Sequence, residues 1–164
     1  MDPVTVSIVV SAPREQVFDY LQDIANHPEF TDHYLVDWHL TRVDSVGLGA
    51  GARFRAKAPG VRFSWAEVTF VEVERPQRIV EAGRTGKYNR IRTLGVYDLQ
   101  PAPLGATHVK FTLMTVPATI SDRLMESLGA RSWTRRKNGR ALRRLRAILE
   151  QGESRGRRVT VAAG

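Results

Sequence analysis

The sequence predicts an α+β protein with the element order β-α-α-β6-α. Three observations support this order: an N-terminal apolar run broken by a proline, six consecutive segments of period two, and a final third of period 3.6. The length of 164 residues and the hydrophobic content of 42% are those of a single globular domain. We expect residues 1–151 to form this domain and residues 152–164 to be a disordered polar tail.

The first thirty residues predict one strand and two short helices. Val4–Val10 is an apolar, strand-like run, and Pro13 after it favours the first turn of a helix with Ser11 as its cap. The apolar positions of that helix recur at helical spacing, at Val17, Phe18, Leu21 and Ile24. Pro28 interrupts the pattern, and a second short helix follows that contains Phe30.

Six further segments predict strands, because their apolar residues alternate with polar ones and Gly- or Pro-containing turns separate them. The predicted strands are residues 36–41, 53–57, 63–73, 78–85, 90–99 and 107–116. With the first strand they make seven, and their spacing is typical of an antiparallel meander.

The last third predicts a long amphipathic helix. Its apolar rows start at Ile120 and at Trp133, and Gly152 ends it. Arginines lie off the apolar stripe, so we expect a strongly basic outer face. The residues of this basic surface are Arg136, Arg140, Arg143, Arg144 and Arg146.

The net charge of +8 belongs mainly to this C-terminal part. Eleven basic residues lie from Arg131 to Arg158, against only Glu150 and Glu153, and the rest of the chain is close to neutral. One interpretation is a solvated surface that helps solubility. The other is a docking surface for an acidic partner, for which an anionic membrane is more coherent than a nucleic acid.

Several short motifs resemble the START-like superfamily, also called the Bet v 1-like or polyketide cyclase/dehydrase group (SRPBCC). The motifs are residues 12–18 (APREQVF), 21–24 (LQDI), 27–30 (HPEF), 68–69 (VT), 74–76 (ERP), 105–107 (GAT) and 141–145 (ALRRL). The resemblance covers residues 4–150. It implies a helix-grip fold, in which a curved seven-stranded antiparallel sheet surrounds a long C-terminal helix. Members bind sterols, lipids, quinones, hormones and polyketides, so the resemblance implies a class of function and no single activity.

In a helix-grip fold the sheet and the helix leave a cavity between them, where apolar ligands bind. The side chains that we expect to line it are Phe30, Trp38, Phe54, Phe63, Trp65, Tyr97, Phe111, Leu113, Leu124, Leu128 and Trp133. For each one alone, ordinary core packing is the competing interpretation. Gly139, inside the final helix, either makes room for this cavity or is merely tolerated.

Three polar residues within strands, Glu67, Glu81 and Arg92, are candidates for groups that orient a ligand or move a proton. The competing interpretation is that they are exposed surface charges. No catalytic set is recognisable, because the serines lack a nucleophile motif. We expect no metal site and no cofactor: the chain has no cysteine, and His27, His33 and His39 are six residues apart.

The functional hypothesis is that the protein binds a small hydrophobic ligand (a lipid, quinone or polyketide-like molecule) for transport or sequestration. Two alternatives stay open. The first is a polyketide aromatase/cyclase-type enzyme that uses the same cavity. The second is a basic adaptor that docks to an anionic membrane or nucleic acid through the C-terminal helix. The sequence has no apolar stretch of the ~20 residues that span a bilayer and no signal-peptide pattern, so we expect a cytoplasmic monomer or weak dimer.

Overall fold

The computed structural model of the chain describes residues 2–58, 64–119 and 129–152. Within them, seven strands form one antiparallel sheet in the order β1-β7-β6-β5-β4-β3-β2. The strands are β1 (Val4–Val10), β2 (Leu35–Leu40), β3 (Gly51–Ala56), β4 (Trp65–Glu74), β5 (Arg78–Thr85), β6 (Ile91–Pro101) and β7 (Thr107–Val116). Strands β2 to β7 are neighbours in chain order and β1 pairs with β7, which confirms the predicted meander.

The described residues form three α-helices, α1 (Arg14–Leu21), α2 (His27–Thr31) and α3 (Arg131–Gln151). The predicted α+β class and helix-grip arrangement are therefore confirmed, with a curved sheet and a long C-terminal helix. Gly152 ends α3 in the left-handed conformation, with φ 65°. The start of the final helix that the sequence predicts at Ile120 lies outside the described residues, as do residues 153–164 of the predicted tail.

Helix α1 begins differently from the sequence prediction. Pro13 itself occupies the N-cap position and no side chain caps the helix, because Ser11 lies two residues too early. The backbone N–H of Ser11 donates instead to Glu150 Oε1, at 2.7 Å, near the end of α3. The predicted buried face of α1 is confirmed, since Val17, Phe18 and Leu21 are all buried.

Alternate residues of each strand divide between an inner face, covered by the helices, and an outer face. One row of register partners on the inner face runs from Leu113 through Gly95 and Glu81 to Phe70. A row on the outer face contains Arg53, Glu67, Arg84 and Arg92 in register. The core packs against the inner face, where side chains such as Phe70 and Ile79 are almost fully buried.

Helix α3 lies alongside β1 and runs in the same direction. Arg131 Nη1 at its start is 3.2 Å from Asp2 Oδ2, and Glu150 near its end accepts from Ser11. From Arg131 to Glu150 the helix rises about 28 Å, and from Asp2 to Ser11 the extended chain spans about 30 Å, so the two lengths match. On its other side, α3 contacts α2 and the residues that follow it. No helix in the described part of the chain is long and apolar enough to cross a membrane.

A buried hydrogen bond joins the end of β1 to β7. Thr107 Oγ1 donates to the carbonyl oxygen of Ala12 at 2.8 Å, and both residues are buried. We expect Thr107→Val to lower the free energy of unfolding by about 1–2 kcal/mol, because it leaves the Ala12 carbonyl unpaired. Urea denaturation measures this. Thr112→Val is the matched control, since its hydroxyl meets only Thr5 Oγ1 at the surface; an equal loss in both variants would contradict the prediction.

Candidate functional site

A small cavity lies between the inner face of the sheet, α2 and α3, and its volume is about 40 Å³. Its walls are mostly aromatic and aliphatic. The side chains that line it are His27, Phe30, Thr31, Tyr34, Leu35, Trp38, Phe54, Glu81, Tyr97, Phe111, Asn138, Ala141 and Leu142. Three elements thus converge on it: the α2 segment, the inner rows of the sheet, and one face of α3.

The structure places six of the sequence-predicted residues on this cavity: Phe30, Trp38, Phe54, Tyr97, Phe111 and Glu81. Leu113 and Trp133 are half-buried and pack against the core without lining the cavity. Phe63, Leu124 and Leu128 lie outside the described residues. The aromatic walls pack in pairs, with ring centroids 4.4 Å apart for Trp38 and Phe54 and also for Tyr97 and Phe111.

Trp65, Glu67 and Arg92 lie on the outer face of the sheet. The expectation that Trp65 lines the cavity is therefore wrong, whereas for Glu67 and Arg92 the structure agrees with the competing interpretation of exposed surface charges. A period of two does not say which set of alternate residues faces inward, and in β4 the inward set includes Val68. The guanidinium of Arg53 covers the Trp65 ring, 4.6 Å from its centroid. Of the three polar strand residues, only Glu81 faces inward.

The Glu81 carboxyl group lines the cavity among mainly apolar side chains, and the residue as a whole is partly exposed. Burial raises its pKa from the ordinary 4.5 to about 7, because the charged form is poorly solvated there. No described residue forms an ion pair or hydrogen bond with it. At neutral pH the group therefore populates both the protonated and the ionised form, which is the condition for a general acid or base.

Gly95 makes room for the Glu81 carboxyl. The two residues are register partners on β6 and β5. A Cβ atom at position 95 would lie 2.6 Å from Glu81 Cγ and 2.8 Å from Glu81 Cδ, which is closer than real Cβ contacts. The glycine therefore lets the carboxyl group lie flat against the sheet at the floor of the cavity.

Helix α3 contributes a polar side chain, Asn138, that is 3% exposed. Tyr34 Oη donates to Asn138 Oδ1 at 2.8 Å, which fixes the orientation of the amide. Asn138 Nδ2 has no hydrogen-bond partner among the described residues. A buried donor left unpaired costs about 1–3 kcal/mol, so the cavity contains an N–H group that is available to an acceptor oxygen.

The other titratable groups at the cavity stay neutral near pH 7. Burial raises the pKa of Tyr97 and of Tyr34, and the nearby Glu81 charge adds to both shifts. Burial lowers the pKa of His27 to about 4, so its ring is neutral. His27 Nε2 donates to the carbonyl oxygen of Leu21 at 2.8 Å and thereby holds α2 against the end of α1.

Sequence reasoning missed Tyr34, Asn138 and His27 as residues of the cavity. A signal for Asn138 exists in the sequence, because it falls within the buried stripe of α3 at Thr134, Asn138, Ala141, Leu142, Leu145 and Ile148. A polar side chain in an apolar stripe indicates a buried polar group. No comparable signal exists for Tyr34, whose exposure depends on how α2 and α3 pack.

The arginines of α3 fall into two groups. Arg136, Arg140 and Arg143 are exposed, as predicted. Arg144 differs: it is half-buried, forms an ion pair with Asp32 and donates to His33 Nδ1 at 3.1 Å. The expectation that Arg144 belongs to a free basic surface is therefore corrected, because it joins α3 to the end of α2.

His33 completes this connection between α2 and α3. Burial lowers its pKa to about 4, and the Arg144 charge acts in the same direction, against the hydrogen bond to the carbonyl of Lys137. The neutral ring donates from Nε2 to Lys137 O at 3.2 Å and accepts at Nδ1.

Gly139 plays no part in the cavity, since the nearest atom to a Cβ there is Arg143 Nη1 at 3.7 Å.

The fold and the cavity between sheet and helix define a helix-grip protein. The sequence profile of the family described as polyketide cyclase/dehydrase and lipid transport matches residues 1–150, and the chain belongs to this family. No curated protein matches the sequence. The family resemblance seen in the short motifs is thus confirmed over nearly the whole chain.

Solved structures share this fold at low sequence identity. TTHA0849 from Thermus thermophilus is 17% identical with a TM-score of 0.68, covering 93% of this chain and 99% of that one. The KanY protein is 15% identical with a TM-score of 0.71, covering 90% and 97%. Truncated norcoclaurine synthase from Thalictrum flavum is 11% identical with a TM-score of 0.67, covering 90% and 92%. At these identities the likeness shows the fold alone.

The raised pKa of Glu81 predicts a pH-dependent effect of Glu81→Gln. Folded Glu81 keeps its proton up to about pH 7, whereas the unfolded chain loses it near pH 4.5, so stability falls as the pH rises through this window. The Glu81→Gln variant has no carboxyl group at this position, so its stability does not fall in this way. Its free energy of unfolding, relative to wild type, should grow by about 2–3 kcal/mol from pH 4.5 to pH 8.

Urea denaturation at pH 4.5, 6 and 8 measures that difference. Glu67→Gln is the matched control, because it removes the same charge from the outer face of the neighbouring strand. A Glu81→Gln difference that stays constant with pH, or one equal to that of the control, would contradict a buried titrating carboxyl group.

Proposed function

We propose that the protein binds a small hydrophobic molecule bearing a carbonyl or hydroxyl oxygen, for transport or sequestration. The observation that carries this proposal is the buried Nδ2 of Asn138, which has no hydrogen-bond partner among the described residues and lies in a cavity with aromatic walls. Membership of a family described by polyketide cyclisation and lipid transport supports the same class of ligand.

The chemistry of the cavity suits such a molecule. A ligand oxygen accepts from Asn138 Nδ2, and protonated Glu81 supplies a second donor. Tyr34 keeps the amide of Asn138 in the required orientation. The aromatic pairs around Trp38 and Tyr97 provide apolar contact, at about 25 cal/mol for each Å² removed from water.

The present volume sets a condition on this binding. A cavity of about 40 Å³ has room for one or a few water molecules, whereas ligand pockets usually measure about 300–1,000 Å³. Ligand binding therefore requires the walls of the cavity to move apart, and we infer that α3 moves away from α2. The contacts that resist this movement are the hydrogen bonds Tyr34–Asn138 and His33–Lys137 and the ion pair Arg144–Asp32.

Replacement of the polar pair tests the proposal. In Tyr34→Phe/Asn138→Leu both hydrogen-bonding partners become apolar, so the stability should be unchanged or higher. Its affinity for the naphthoquinone menadione should be about tenfold lower than that of wild type, since the ligand loses its donor. Tryptophan fluorescence quenching measures the affinity, and Tyr20→Phe, between α1 and α2, is the control.

Two results would contradict the proposal. One is equal menadione affinity in wild type and in Tyr34→Phe/Asn138→Leu. The other is a wild-type protein that neither binds menadione nor releases any co-purified small molecule on solvent extraction and mass spectrometry.

The pKa of Glu81 favours a second candidate function, acid–base catalysis on a polyketide-like ketone in the same cavity. Ionised Glu81 removes a proton from the carbon next to the carbonyl, and the electron pair moves onto the carbonyl oxygen. Asn138 Nδ2 donates to that oxygen as its charge develops. Glu81 then holds the proton and can return it to carbon, so that one cycle is an enolisation.

Deuterium exchange tests this second function. Wild-type protein should catalyse exchange of the α-protons of 2-tetralone in D2O, with a rate that rises with pH through about 7 as Glu81 ionises. Glu81→Gln should abolish the catalysed exchange, and Glu67→Gln should retain it. Exchange that survives Glu81→Gln, or that is absent in wild type, excludes Glu81 as the base.

A further inference from the structure

A second concave surface lies on the other side of α3, outside the cavity. It is a groove of about 670 Å³ between α3 and the edge of the sheet, and we call it the β1 groove. The strand side consists of Thr5, Val6, Ser7 and Ile8, and the helix side of Arg135, Gly139, Arg143 and Arg146. Gly139 lies midway along the helix side, and a Cβ there would make only an ordinary contact, with Arg143 Nη1 at 3.7 Å.

No described residue compensates the positive charge in the β1 groove. Arg135, Arg143 and Arg146 are exposed, and none has an ion pair or hydrogen bond with any residue that the structure describes. The acidic residues at the two ends are already engaged, Asp2 with Arg131 and Glu150 with the N–H of Ser11. Arg143 and Arg146 stand three residues apart on the helix, where like charges repel.

The other wall of the groove is an open strand edge. β1 pairs with β7 on one side and with no described strand on the other. Along such an edge, alternate residues direct their N–H and C=O groups outward, and another strand can satisfy both. A partner that is both acidic and extended is therefore complementary to this groove. Its charge matches the cationic side chains, and its backbone can pair with the open strand edge.

We propose that the β1 groove binds an acidic segment of another protein, which adds to the sheet as an extended strand next to β1. The spacing suits carboxylates four residues apart. Side chains at i and i+4 of an extended strand lie on one side, about 13 Å apart, and Arg135 and Arg143 are separated by about 12 Å along the helix. Backbone pairing supplies affinity, and the arginines select acidic sequences.

A labelled decapeptide tests this proposal by fluorescence anisotropy. It alternates threonine and valine, with glutamate in place of threonine at positions 3 and 7. We expect Arg135→Gln/Arg143→Gln to weaken its binding about tenfold or more, because both carboxylates of the peptide lose their charged partner. Arg136→Gln/Arg140→Gln is the matched control. It removes the same charge from the same helix outside the groove and should change the affinity less than about twofold.

Backbone methylation tests the strand pairing without altering the protein. One peptide carries N-methyl groups on its even residues and another on its odd residues. In a strand pair only alternate N–H groups face the partner, so one of the two peptides should bind like the parent and the other should lose binding. Binding should also slow amide hydrogen exchange along residues 5–9.

Three results would overturn the proposal. The first is no binding of the parent peptide to wild-type protein. The second is equal weakening by the two double-arginine variants. The third is tolerance of both methylated peptides together with binding of an oligothymidylate or of phosphatidylglycerol vesicles that depends on Arg135 and Arg143. That result would make the groove a general polyanion site.

Discussion

One long helix has to cover the inner face of a curved seven-stranded sheet, and the rest of the structure depends on this constraint. α3 follows β1 over its whole length, held by Asp2 at one end and Ser11 at the other. The rest of the inner face is covered by α1 and α2, whose buried residues include Phe18 and Phe30. A gap remains between α3 and these two shorter helices, and the cavity lies in that gap.

The polar residues at this gap reduce the stability of the fold. A carboxyl group in an apolar environment and an amide N–H without an acceptor each cost free energy that an apolar side chain in the same place would not. The sheet accommodates Glu81 through a glycine at its register partner, Gly95. A core that served packing alone would have no need of Glu81, Gly95 and Asn138 together, and this is why the cavity, small as it is, supports a functional proposal.

The sequence predicted the order of elements because period and turn residues are local properties. The seven strands and the long helix follow from alternation, Gly and Pro positions, and the 3.6-residue repeat. The assignment of faces was less secure, because alternation does not identify which face is buried. Trp65 and Glu67 share one face, yet it is the outer one, whereas Glu81 on the next strand points inward.

The sequence pattern could not predict contacts between segments that are far apart in the chain. Tyr34 and Asn138 are 104 residues apart, and only the packing of α3 on the α2 segment brings their side chains together. The ion pair of Arg144 with Asp32 has the same origin. Within α3 the helical pattern correctly placed the apolar stripe, but it could not separate an arginine that joins two elements from one that faces solvent.

Adjacent residues of α3 face different sites, so this one helix connects the proposed ligand cavity with the proposed β1 groove. Asn138 points into the cavity and Gly139 into the β1 groove, because successive helical residues are turned by about 100°. In the proposed binding, a ligand that enters the cavity displaces α3 from α2. A strand bound in the β1 groove would instead hold α3 against β1. Since one rigid helix forms a wall of both sites, occupation of either changes the free energy needed to move it, so the two sites are expected to be coupled through the position of α3.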